Sequence, residues 1–125
     1  DTVAFQLVTV GHKATDVINQ FNTENEYTKA LYLNGLANST AEGLAEWNHQ
    51  RIRREIGIAD GIGKRYSPGY PVWPELADQV QLFKVIDGEK NAGVALTSAF
   101  QMNPEQSTSA IVIHHPECTY FTLSV

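Results

Sequence analysis

Apolar positions along the chain follow two periods, one near two and one near 3.6, and these divide it into elements. Thr2 to Val10 reads Thr-Val-Ala-Phe-Gln-Leu-Val-Thr-Val, β-branched and nearly continuous in apolar character. That pattern predicts a buried strand, ended by Gly11. Ala14, Val17, Ile18 and Phe21 then recur at helical spacing. A longer helical run extends from about Tyr27 to Ile56. In it Leu33, Leu36, Ala37, Thr40, Leu44, Trp47 and Ile52 are expected to share one face. Ser39-Thr40-Ala41-Glu42 has the form of a capping box with Ser39 as the cap, so the run reads as one helix or as two. Gly35 and Gly43 each weaken a helix by up to ~1 kcal/mol relative to Ala. Such glycines often mark the close approach of another backbone or a ligand.

Gly57 to Lys64 is glycine-rich, but Arg65 follows Lys64 where a phosphate loop needs Ser or Thr. It therefore reads as a connector. Arg65 to Pro74 contains Pro68, Pro71, Pro74 and Gly69, which make it a fixed, non-helical segment with backbone groups left free. Pro74 suits the first position of a helix carrying Leu76, Val80, Phe83, Val85 and Ile86, and Asp87-Gly88 stops it. Val94–Phe100, Thr108–His114 and Thr119–Val125 are strand-like, with Pro104 and Pro116 between them. Three successive strands with short connections predict an antiparallel arrangement. The expected class is α+β, with helices packed on a mostly antiparallel β-sheet.

A length of 125 residues suits a single domain over residues 1–125. Hydrophobic residues are 42% and charged residues 18%, which favours a packed core over disorder. The formal net charge of -5, without a basic stripe, argues against nucleic acid as a partner. The chain offers no polybasic membrane patch, and its apolar runs are too short to span a bilayer. No signal peptide is visible, and the start at Asp1 suggests a processed chain or a piece of something longer. Cys118 is the single cysteine, so no disulfide framework is expected and a cytoplasmic setting fits best. Nothing near Cys118 marks it as a nucleophile.

Candidate chemistry is sparse. His114 and His115 are adjacent, so on a strand they point to opposite faces, while His12 and His49 lie in distant segments. No metal site is expected. Ser107, Thr108 and Ser109 precede His114 without a nucleophile elbow, which makes hydrolase chemistry a weak reading. Glu42 and Glu46 stand one helical turn apart; paired carboxylates can do acid–base work, though a solvated face is the plainer explanation. The basic cluster Arg51, Arg53 and Arg54 suits a helix C-terminus through the macrodipole. The segment from Arg65 sets one permanent cation beside Tyr66, Tyr70 and Trp73, which suits a small, flat, charged ligand.

That segment also carries a family resemblance. Arg65-x-x-x-Gly69-Tyr70-Pro71 resembles the Arg-x-x-x-Gly-Tyr signature of the activation domain of cobalamin-dependent methionine synthase. Ala41-Glu42-Gly43-Leu44-Ala45-Glu46-Trp47-Asn48-His49 with Arg53 resembles the family's Ala-Glu-x-x-Ala-Glu-x-x-His-x-x-x-Arg helix. Leu96-Thr97-Ser98-Ala99-Phe100-Gln101-Met102-Asn103-Pro104 and His115-Pro116 with Tyr120 resemble two later family segments in order and spacing. The likeness covers nearly the whole chain and corresponds to the C-terminal half of that domain.

The resemblance implies a domain that binds S-adenosylmethionine and presents it for reductive methylation of inactive cob(II)alamin. Cobalamin would be held by a neighbouring cobalamin-binding module, and the electron would come from flavodoxin or an equivalent reductase. The expected role is binding and positioning within a methyltransferase, without independent turnover. Carried over, Arg65 would pair with the ligand carboxylate, for which a guanidinium fork is suited. Gly69 would admit close approach of backbone, and Ser67 would give main-chain hydrogen bonds to the adenine. Tyr70 and Tyr120 would lie beside the ligand, and Glu42 would face its cationic end.

Departures are plain. Pro71-Val72-Trp73-Pro74 stands where the family has Pro-Ala-Cys-Pro, and Thr97-Ser98-Ala99 where it has Thr-Glu-Ser. The family domain is more than twice as long, and its earlier half supplies another acidic contact. No Asp-x-His-x-x-Gly cobalamin segment occurs in the chain. An alternative is a truncated, non-catalytic interaction module that keeps the fold but not full ligand binding.

Overall fold

Strand β5 (Ser107–Ile113) is the centre of the sheet, and a computed structural model describes what surrounds it over residues 2–120. It pairs antiparallel with β1 (Val3–Thr9) on one side and with β2 (Lys64–Tyr66) on the other. The registers set Val3 opposite Ile113, Thr9 opposite Ser107, and Arg65 opposite Val112. Ser109, Ala110 and Val112 of β5 are buried, as a central strand requires.

Two helices separate β1 from β2: α1 (His12–Thr23) and α2 (Tyr27–Glu55). Helix α2 packs on β1, β5 and α1. Its buried residues are Ala30, Ala37, Ala41, Ala45, His49 and Arg53, a stripe that advances mostly by four. The face expected from the large apolar residues is not the buried one: Leu36 is 65% exposed and Trp47 54% exposed. Alanines let the helix axis lie close to the sheet, and this close contact outweighs the pull of the larger side chains. The helix is also single. Ser39 caps nothing, and the Thr40 hydroxyl donates to the Leu36 carbonyl across an unbroken turn.

The sheet face at Gln6 and Val8 meets α2, where Asn48 Nδ2 donates to Gln6 Oε1 at 2.9 Å. The opposite face carries Leu7 and Ser109 and meets α3 (Gln79–Ile86) and α4 (Gly88–Ala92). These helices are short, so Val3 and Phe5 of β1 stay 45% and 38% exposed rather than buried. Pro74 does not open α3. Glu75 accepts from the Ala77 amide at 3.1 Å and starts a 3₁₀ turn over Leu76–Asp78, from which α3 continues. Asp87 takes left-handed backbone and ends α3, as expected, but α4 begins directly after it.

Among the described residues the three expected strands do not form a successive antiparallel arrangement. Of Val94–Phe100, the pair Ala95–Leu96 (β3) is strand, and it forms a small ribbon with Met102–Asn103 (β4). Between them Thr97 Oγ1 accepts from the amides of Ala99 and Gln101, a side-chain–backbone turn that competes with the ladder. Thr119 and Tyr120 are not strand, and the rest of the Thr119–Val125 expectation lies outside the described residues.

Two glycine substitutions check this packing in opposite directions. A methyl at Gly43 meets nothing within 4 Å, so Gly43→Ala should raise stability by ~0.5–1 kcal/mol. At Gly88 the added carbon would lie 2.7 Å from the Phe83 ring and 3.1 Å from Leu7, and Gly88→Ala should cost ~1–3 kcal/mol. Urea denaturation of both variants measures the pair; equal shifts would contradict the helix placements.

Candidate functional site

The glycine-rich connector is held by a buried cation. Arg53, 7% exposed, donates from Nε to the Ile62 carbonyl at 2.9 Å and from Nη2 to the Gly63 carbonyl at 3.5 Å. The basic cluster at the end of α2 is therefore more than a dipole effect. Gly63 has φ 80 and lies against the Ile113 carbonyl, where a side chain would collide. This anchoring delivers Lys64–Tyr66 to the edge of β5 and brings Arg65 beside α2.

Arg65 then meets two side chains of α2. Its Nη1 lies 2.6 Å from Glu46 Oε2 and 3.3 Å from His49 Nδ1. Glu46 Oε1 lies 3.7 Å from Arg53 Nη1, so one carboxylate serves two guanidinium groups. The hydrogen bond from Arg65 holds the Glu46 carboxyl below the usual carboxylate range. Burial, then the charges of Arg53 and Arg65, push the His49 imidazole from 6.5 down to about 4, against an opposing pull from Glu46. His114 packs edge-on to His49 at 5.6 Å, and burial followed by the Arg53 charge lowers it too.

On the other side of Arg65 lies an open cavity of about 440 Å³, lined by Glu42, Arg65, Tyr66, Ser67, Tyr70, Pro71, Val72, Thr108 and Tyr120. Five of the six residues singled out in the sequence thus share one cavity. They come from α2, β2, the proline-rich segment and the segment after β5. Gly69 is absent from the lining. Its φ of 88 serves a turn, in which its amide donates to the Trp73 carbonyl at 2.8 Å. Trp73 is outside the cavity as well, with Nε1 donating to Asp78 Oδ2 at 2.7 Å.

Tyr120 closes the cavity by clamping β2. Its hydroxyl donates to the Arg65 carbonyl at 2.9 Å and accepts from the Arg65 amide at 3.3 Å. The hydroxyl proton is used within the chain, so Tyr120 offers a ligand its ring and no donor. Tyr66 stacks edge-on to it at 5.7 Å. Glu42 is exposed, and no ion-pair partner for it occurs among the described residues.

Glu42, Ser67, Tyr70 and Thr108 also border a second cavity of about 780 Å³, with Asn38, Gln79, Thr97, Gln101 and Asn103 among its polar lining. Thr108, singled out in the sequence only for its position before His114, lines both cavities, and the amide-rich wall was missed, because strand alternation alone does not say which face meets a cavity. It also set Glu46 on a solvated face, although Glu46 holds Arg65.

Other candidates have ordinary structural partners. His12 Nε2 lies 2.9 Å from the Gly93 carbonyl, and Ser109 Oγ donates to Gln79 Oε1 at 2.7 Å. Among the described residues no group of His, Cys, Asp and Glu is placed to hold a metal ion. No helix there is long and apolar enough to cross a membrane. The cavity instead pairs one cation and one free carboxylate with three tyrosine rings, a wall suited to a zwitterionic ligand carrying a further positive centre.

Residues 1–125 match the family described as vitamin B12 dependent methionine synthase, activation domain. The methionine synthase of Mycobacterium tuberculosis is 33% identical over 98% of this chain, and that of Mycobacterium leprae 31% identical over 98%. The chain spans 12% of the length of each. Among solved structures, the MetH reactivation domain bound to AdoHcy superposes with a TM-score of 0.87 at 26% identity. The match covers 95% of this chain and 41% of that one.

The buried histidine makes folding pH-dependent. Its folded value of about 4 lies below its ordinary 6.5, so the unfolded chain takes up the proton first as pH falls. This stability is complete above the unfolded value and declines towards the folded one, with a loss of ~2 kcal/mol expected by pH 5. The depressed Glu46 acts in the same direction, its contribution being lost as pH falls through its folded value. Denaturation at pH 7 and pH 5 should show the loss, and His49→Phe should reduce it while the lowered His114 keeps a part of the slope; an unchanged slope would count against the assignment.

Proposed function

The chain belongs to the family of vitamin B12 dependent methionine synthase activation domains, and from that premise we propose that it binds S-adenosylmethionine and presents it to a cobalamin held by a neighbouring module. The observation that supports this reading is the gathering of Glu42, Arg65, Ser67, Tyr70 and Tyr120 around one cavity from four separate segments. The similar reactivation domain carries AdoHcy, S-adenosylhomocysteine, which is what S-adenosylmethionine becomes after giving up its methyl group.

The residues fit the ligand at each end. Arg65 is a permanent cation for its carboxylate. Glu42, free of an ion-pair partner among the described residues, suits its positive centres. The rings of Tyr66, Tyr70 and Tyr120 give polarisable faces to a sulfonium and a flat edge to an adenine. No loop or turn backbone hydrogen bond uses Ser67 among the described residues, which suits main-chain hydrogen bonds to the base. When bound, S-adenosylmethionine supplies an electrophilic methyl group on positively charged sulfur. The chain's own work is to orient that group towards the open side of the cavity.

The methyltransferase activity, the cobalamin module and a flavodoxin-type reductase belong to the whole protein in this reading, in a cytoplasmic setting. The chain contributes the binding step and has no turnover of its own.

Calorimetric titration with S-adenosylmethionine tests the proposal. Saturable binding is expected, with Arg65→Ala weakening it at least about tenfold, or ~1.4 kcal/mol. Glu42→Gln should weaken S-adenosylmethionine more than S-adenosylhomocysteine, because the latter lacks the sulfonium charge. A folded parent that binds neither ligand would overturn the reading and leave the interaction-module alternative. Equal binding by parent and Arg65→Ala would remove Arg65 from the site.

A further inference from the structure

Arg65 stands between two cavities. One is the proposed ligand cavity, and the other, of about 580 Å³, is lined by Glu46, His49, Arg53 and Lys64. All side-chain hydrogen bonds of Arg65 among the described residues run to the second side, and all leave from Nη1. Nη1 carries two hydrogens, and it has two acceptors, Glu46 Oε2 at 2.6 Å and His49 Nδ1 at 3.3 Å. Nε and Nη2 have no acceptor among the described residues. Those two nitrogens form the side edge of the guanidinium, whose parallel N–H groups match a carboxylate in bidentate fashion.

We propose that Glu46 and His49 are positioning residues, which hold the Nη1 end of Arg65 so that its Nε–Nη2 edge is presented to the carboxylate of the bound ligand. The inference rests on the ligand class argued above and adds the device that orients its anchor. Arg65 opposes Val112 across the strand pair, so its backbone is fixed by the sheet and its side-chain direction by α2.

His49 suits this role because of its protonation. Arginine has no acceptor, so His49 Nδ1 must be bare and the ring proton must sit on Nε2. His49 is 2% exposed, and its Nε2 has no hydrogen-bond partner among the described residues. A buried N–H without a partner is unfavourable, which makes sense if the ring is retained for what Nδ1 does. The charged and titratable groups facing the ring are Arg53 and Glu46 of its own helix, Arg65 of β2 and His114 after β5. Burial, and after it the two nearby guanidinium groups, keep the ring neutral, so the acceptor persists across the physiological range.

Two measurements on the 125-residue chain test the proposal. The first is ¹⁵N NMR of His49 and of the Arg65 side chain in the ligand-free parent. A neutral ring with its proton on Nε2, unchanged between pH 7 and 5, and a restrained Arg65 are expected. A proton on Nδ1, titration above pH 6, or a freely rotating guanidinium would overturn the proposal. The second is titration with S-adenosylmethionine and with 5′-methylthioadenosine, which lacks the carboxylate. His49→Phe should weaken S-adenosylmethionine about tenfold and leave 5′-methylthioadenosine unchanged, while His49→Asn, whose side-chain oxygen can take the place of Nδ1, should stay within about threefold of the parent. Equal losses for both ligands would reduce His49 to a packing residue, and no loss would remove it. A parent that binds neither compound sinks the ligand reading, and the NMR result still decides whether Nη1 is held. The same NMR arm covers a His49→Phe chain that does not fold.

Discussion

Close contact between α2 and the sheet is the constraint on which the rest depends. The buried alanines at 37, 41 and 45 let the helix lie close to the sheet, where larger residues would hold it away, while Ala30 lies on the side of α1. Along the same helix His49 and Arg53 continue the buried stripe, so the contact passes from apolar to polar without leaving the interface. Glu42 and Glu46 flank that stripe and face the edge of the sheet. The helix is thus both half of the core and the wall of the site.

Burying Arg53 has consequences that spread outward. A guanidinium removed from water needs acceptors, and it finds them in the Ile62 and Gly63 carbonyls and in Glu46. Those contacts fold the glycine-rich connector back onto α2 and set the register of β2 beside β5. Arg65 arrives within reach of the same carboxylate. Two cations now share Glu46, and His49 beside them is held neutral. Fold and site therefore use one charge network, and a change in any member is felt in both.

The cavity on the far side of Arg65 is built by convergence. The proline-rich segment leaves β2 and turns back on itself, the Gly69 amide donating to the Trp73 carbonyl and the Trp73 amide to the Tyr70 carbonyl, and Tyr120 returns to clamp β2 through the Arg65 backbone. The tyrosine rings gather because Tyr66 and Tyr120 pack edge to edge. Such a wall offers charge and flat faces together, the two features that the proposed sulfonium nucleoside would need.

Much of this was present in the sequence. The strand at residues 2–10, the helical run from Tyr27 and the strand before His114 follow from local periodicity, which neighbouring residues alone set. The candidate site residues came from the resemblance of the Arg65 segment and the Glu42 helix to a known family, and five of the six line one cavity. The tertiary structure alone decided which face of α2 is buried, since close packing selected small residues over the large apolar ones that periodicity favours. It alone placed β5 between strands distant in sequence, because pairing partners are chosen by the whole fold. It alone turned Glu46 and His49 from a helix surface into the support of Arg65, because no local pattern records what approaches a helix from outside.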